Sequence, residues 1–245
     1  MIWAAALIWL AGVAGQTQTP AEFLAEFADR REAVDSLQSE YVQTTITPEE
    51  TVVSRGTLVY AKPKRLIFRY EDPPLVYMID GLRVYEYDPD IEQIQIYDLE
   101  DRPESEAFYL GFETNADRLQ EAYDVRLMPP DDAQRHALAI EFKPKPNADG
   151  EEPYFERVVI QLSKGDLLPS TILIVNDEES STSFVVSNYS LNAALPEGLS
   201  HVVVPEGTTV VENESYAGEA GPGGVTFPAT TAAAPQGLVH SEDVP

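Results

Sequence analysis

The chain has 245 residues, no cysteine, and a formal net charge of −26, from 16 Lys and Arg against 42 Asp and Glu. That length allows one large domain with appendages or two small domains. The missing thiols exclude disulfides and thiolate metal sites, and the charge argues against nucleic acid, whose phosphates need clustered Lys and Arg. The same sign repels anionic membrane surfaces.

The first residues read MIWAAALIWLAGVAG. The apolar run 2–14 is shorter than the roughly 20 residues of a membrane-spanning helix. Val13-Ala14-Gly15 offers the small residues that a signal peptidase reads, so residues 1–15 are expected to be a signal peptide cleaved before Gln16. The first Lys or Arg is Arg30, so the usual basic start of such a leader is missing.

Next, Thr19 can cap a helix, Pro20 suits its first turn, and Glu22 completes a capping box. Phe23, Leu24, Phe27 and Val34 recur at helical spacing, which predicts a helix over 20–34. From Leu37 the apolar period becomes two. Strands are expected over 38–47, 51–62, 65–71, 75–79, 83–87 and 93–99, with turns at Asp80-Gly81 and Asp88-Pro89. Residues 101–120 break this rhythm with a short helical stretch carrying Phe108, Tyr109, Leu110 and Phe112, and a second short helix is expected over 116–123. Strands resume over 124–128, 137–143, 155–162, 171–175, 183–189 and 200–204, with a hairpin loop at 145–150. Residues 212–245 are rich in Gly, Pro, Ala and Thr and poor in apolar residues, so they are expected to be a disordered tail.

About a dozen short strands and three short helices make one sheet that must curl. The fold class expected is mainly β with α: a single incomplete, half-open antiparallel β-barrel, residues 16–211, with short helices covering its concave side. Leu58, Tyr60 and Lys62 share one strand face, as do Leu66, Phe68 and Tyr70 on the next. Val59, Ala61, Ile67 and Arg69 face the other way. The first set reads either as ordinary sheet core or as the wall of a greasy concavity ending in one cation. The concavity reading rests on the chain supplying no second sheet.

At these residues a family resemblance is visible. Gly56-Thr57-Leu58-Val59-Tyr60-Ala61-Lys62-Pro63, then Leu66, Phe68, Tyr70 and Pro73, then Asp80-Gly81, Val84-Tyr85, Tyr87-Asp88 and Gln93, resembles the core pattern of the LolA family. Ser36-Leu37 with Tyr41 and Gln43, and Asn188-Tyr189 through Pro205-Glu206-Gly207, resemble its opening and closing strands. The resemblance implies a periplasmic carrier with no catalytic activity and no cofactor. It would shelter the acyl chains of lipoproteins, or another lipid, between an inner-membrane ABC transporter and an outer-membrane acceptor. It also implies a lipid-binding cavity at Leu58, Tyr60, Leu66, Phe68 and Tyr70, and a lid at Phe108, Tyr109, Leu110 and Phe112. Lys62 stands where the family carries an arginine that holds the lid through backbone carbonyls. Lysine keeps the charge and loses the planar fork, so a weaker latch is expected. Tyr85 replaces a frequent family tryptophan.

An enzyme is the first rival reading. His136, His201 and His240 are isolated, without metal-ligand spacing. The chain has neither a Gly-x-Ser-x-Gly elbow nor a Gly-rich phosphate loop. The alternative kept open is a periplasmic lipid-sensing regulator on the same fold, or a carrier of a different lipid. No metal and no nucleic-acid partner is expected, and the chain is expected to be a monomer.

Overall fold

A computed structural model of the chain describes residues 19–98, 107, 109–112, 115–146, 153, 155–195, 198–227 and 238–239. The expected signal peptide, 1–15, and most of the 145–150 loop lie outside them. The first helix, α1, spans Pro20–Glu32. Its capping box is formed: the Glu22 amide donates to Thr19 Oγ1 at 3.3 Å, and the Thr19 amide donates to the Glu22 carboxylate at 2.9 Å. These bonds satisfy helix-end donors that have no intrahelical partner.

The period-two segments form β1 (Ser36–Ile46), β2 (Thr51–Ala61), β3 (Arg65–Glu71), β4 (Pro74–Asp80), β5 (Arg83–Asp88) and β6 (Gln93–Asp98), each antiparallel to the next. Asp80 pairs with Arg83 across a two-residue turn, and Gly81 there takes φ 62°, a conformation that suits glycine. Helix α2 (Ala116–Ala122) leads into β7 (Tyr123–Met128), β8 (His136–Pro144), β9 (Arg157–Ser163), β10 (Pro169–Val175) and β11 (Ser181–Leu191). β11 returns to pair with β1, which joins the two meanders. The resulting sheet is open and does not close into a barrel. Residues from β1–β6, from β8–β11 and from both helices share one apolar cluster, so the two wings of the sheet curl around the helices.

Two expectations are corrected by the C-terminal segment. Residues 212–227 are strand and turn: β12 (Val202–Val204), β13 (Thr209–Glu212), β14 (Ser215–Ala220) and β15 (Val225–Phe227) are followed by the two-residue strand β16 (Leu238–Val239). β13 pairs with the edge of β6 in parallel, so the sheet is not purely antiparallel. Asn213 and Glu214, both at positive φ, turn the chain back into β14. β12 and β15 form a separate two-stranded sheet over the other face of β2–β6. Val59 (1% exposed) and Ile67 (0%) are therefore as buried as the wall residues. A second core gathers Met78, Tyr85, Ile96, Val204, Val225 and Phe227. Arg69 fastens this cover by donating to the carbonyls of Gly198 at 2.6 Å and His201 at 2.8 Å, while Arg65 donates to that of Ser200 at 3.0 Å. Over 212–227 the tail reading fails, because the few apolar residues there could not form a core of their own yet suffice to complete an existing one, while 228–237 and 240–245 lie outside the described residues.

Phe227, 2% exposed, packs against Tyr85 with ring centroids 5.5 Å apart. Phe227→Ala is expected to lower stability by about 3 kcal/mol, read from the urea unfolding midpoint. An unchanged midpoint would restore the disordered-tail reading.

Candidate functional site

The five wall residues lie together on the inner face of β2 and β3. Leu58, Tyr60, Leu66 and Phe68 are buried and Tyr70 is half-buried, all against one cluster. The register sets Leu58 opposite Phe68 and Tyr60 opposite Leu66, so they form a continuous patch. Gly56 continues the row beyond Leu58. A Cβ there would stand 1.9 Å from the Arg69 carbonyl oxygen and 2.9 Å from the Tyr41 hydroxyl, so only glycine fits.

Phe23, Leu24 and Phe27 of α1 and the segment around 107–112 cover this patch. Phe112 stacks on Tyr60 at 5.0 Å and 14°. Leu110 is buried, and the half-buried Tyr109 donates its hydroxyl to the carbonyls of Lys64 at 3.0 Å and Ile79 at 3.3 Å. Phe108 lies outside the described residues.

Lys62 does meet a backbone carbonyl, but not one of the 107–112 segment. Its Nζ donates to the carbonyl of Glu32 at the end of α1, with the Glu32 and Asp35 carboxylates 3.8 and 3.6 Å away. A cation is favoured there because the helix C-terminus leaves its last carbonyls unpaired.

The side chain that bonds the covering segment is Arg31, which the sequence reading passed over. It is 2% exposed on the buried face of α1. Its Nε donates to the carbonyl of Gly111 at 3.0 Å and its Nη2 to that of Leu167, with the guanidinium 4.4 Å from the centre of the Phe27 ring. Burial lowers its pKa to about 10, so it stays charged at neutral pH. One signal was available: Arg31 follows Phe27 by four residues and precedes Val34 by three, which puts a cation within the apolar stripe. Arg31 thus ties α1, the segment over the wall and the β9–β10 turn to one another, while Lys62 ties α1 to the end of β2.

Four tyrosines surround this apolar region, Tyr41 buried and Tyr70, Tyr109 and Tyr189 half-buried. Desolvation raises Tyr70 to about 12 and also raises Tyr41, Tyr109 and Tyr189. The folded state holds these protons where the unfolded chain would release them. Their contribution is therefore complete below pH 10 and is lost as the pH climbs through the higher folded values. Unfolding free energy measured in urea should fall from pH 10 upward, and phenolate absorbance should show a late-titrating group of tyrosines. A flat profile to pH 12 would contradict this placement.

Among the described residues, no group of three or more His, Asp or Glu side chains is arranged to hold a metal ion, and no helix is long and apolar enough to cross a membrane. His136, which is buried, holds Asp131 at 2.6 Å on the β7–β8 turn, away from the wall.

Comparison with known proteins identifies the family. Residues 32–199 match the family model described as outer membrane lipoprotein carrier protein LolA. An outer-membrane lipoprotein carrier protein of Bordetella avium (strain 197N) is 27% identical over 182 residues, covering 73% of this chain and 82% of its own length. An uncharacterized conserved protein from Thermus thermophilus shares the fold, with a TM-score of 0.51 at 12% identity, over 79% of this chain and 99% of its own. A LolA superfamily protein from Nitrosomonas europaea aligns at a TM-score of 0.41 and 14% identity, over 74% and 96% of the two chains. With its family pattern matched across most of the folded region and its apolar wall closed under helices, the chain belongs to the LolA family of outer membrane lipoprotein carrier proteins.

Proposed function

We propose that this protein is a non-catalytic periplasmic carrier. It shelters the acyl chains of lipoproteins, or of another lipid, against the wall formed by Leu58, Tyr60, Leu66, Phe68 and Tyr70. The observation that carries the reading is how the wall is covered. α1 and the 107–112 segment lie on it, and Arg31 and Lys62 fasten them through a few hydrogen bonds to backbone carbonyls. Such bonds can be exchanged for water at small net cost, about 1.5–3 kcal/mol each. The apolar surface beneath would then be free for a hydrocarbon chain. Each methylene moved from water to that surface contributes about 0.8 kcal/mol, or on the order of 10 kcal/mol for a long acyl chain. That is enough to displace the cover and too much for rapid release into water. Cargo therefore passes directly from an inner-membrane donor to an outer-membrane acceptor.

Titration with a fluorescent fatty acid tests this. The parent should bind it in the micromolar range or tighter, and Lys62→Leu should accelerate uptake by freeing the end of α1. Absence of binding in both proteins would remove the carrier reading.

A further inference from the structure

The inner face of the sheet is not apolar throughout, and its rows change character in a fixed order. One row crosses β3–β6 as Leu66, Ile79, Val84 and Tyr97, all buried. The next row, about 7 Å along the strands, is Phe68, Tyr77, Glu86 and Gln95, directly opposite one another across β3–β6. Glu86 is half-buried on the inner face, between Tyr85 and Tyr87, which point into the second core. It has no ion pair and no hydrogen bond among the described residues. Tyr77 stands beside it on β4. On β6, Gln95 accepts from the Tyr97 hydroxyl and so fixes the edge of the row.

A half-buried carboxylate with no ion pair of its own gains a charge-assisted bond when a cation or donor reaches it. An aromatic ring at its side adds an attractive face for an ammonium group. The turns at this end of the sheet carry Glu71, Asp72, Asp90 and Glu92, whose field attracts cations and repels anions. Hydrocarbon is favoured one row away and positive charge in this row.

We propose that Glu86, with Tyr77, forms a headgroup subsite for an amphiphile bearing a primary ammonium in its headgroup. The chain lies along the Leu66–Ile79–Val84 row. This inference rests on the carrier reading above, and two sources share the chemistry: the free α-amino group of an acylated cysteine, and the ethanolamine of a phospholipid.

Calorimetric titration at 0.15 M salt with decylammonium and decanol is the test. The parent should bind decylammonium about tenfold tighter than decanol. Glu86→Gln should erase that difference and leave decanol binding unchanged. Glu178→Gln, an equal charge change on the β10–β11 turn, should preserve it. The subsite is overturned if Glu86→Gln keeps the preference, if Glu178→Gln loses it equally, or if the parent shows none. If decanol itself fails to bind, the carrier reading fails along with it. For the source, a diacylglyceryl-cysteine peptide and lysophosphatidylethanolamine are each compared with their N-acetylated forms. Acetylation should cost about tenfold in the true source, and no loss in either would overturn the proposal.

Discussion

Arg31→Ala is expected to lower the unfolding free energy by about 2–4 kcal/mol, since buried acceptors left without donors cost about 1–3 kcal/mol each. The reason is what remains behind. The carbonyls of Gly111 and Leu167, both in buried residues, lose their donors, and Phe27 loses the guanidinium over its ring. Arg31→Lys keeps the charge but not the fork, since one ammonium cannot serve two carbonyls in the plane that the guanidinium spans. It should cost about half as much. Urea unfolding of both variants checks the order. Fluorescent fatty-acid uptake checks the role, because a clasp predicts faster uptake in Arg31→Lys at nearly unchanged affinity. If stability falls while uptake is unaffected, Arg31 is structural only.

Leu66→Glu is expected to be the most damaging single change at the wall, costing about 5 kcal/mol or more. As a probe of an open cavity, this substitution would impair binding and spare the fold. The structure points to a different outcome, because Leu66 is 0% exposed, packed under the cover and opposite Tyr60 and Ile79. A carboxylate there meets no water and no cation. It should take up a proton to remain folded, so its folded pKa rises above the unfolded value. Stability is then retained below the ordinary carboxylate range and lost as the pH rises through the higher folded value. Circular dichroism melts at pH 5 and pH 8 should show a variant folded at the lower pH and largely unfolded at the higher one. A variant equally stable at both would mean that the wall is hydrated and the cavity open in the absence of cargo.

Most of the sheet was legible in the chain. Alternation from Leu37 onward placed β1–β6 within one or two residues of their observed ends, because each strand has one face that must be buried. Thr19, Pro20 and Glu22 fixed the start of α1 for the same local reason: helix-end donors need acceptors within a few residues. The wall set was also legible, since residues two apart on a strand share a face whatever that face meets. What covers the wall was legible only in part: Phe112 and Leu110 pack in the same core as the wall, and Lys62 bonds the end of α1.

What the sequence determined by itself is therefore local: the cap, the strand periods, the turns and the grouping of Leu58, Tyr60, Leu66, Phe68 and Tyr70 on one side. Tertiary structure alone decided the rest. Alternation names two faces but not their partners, so the burial of Val59 and Ile67 under β12 and β15 depends on pairings more than 130 residues apart. The place of Arg31 within the apolar stripe is local, but its acceptors, Gly111 and Leu167, reach it only through the fold. Glu86 is put in one row with Tyr77 and the wall residue Phe68 only by the register of β3, β4 and β5. In the first two cases the deciding energy is the burial of a surface whose partner lies far along the chain.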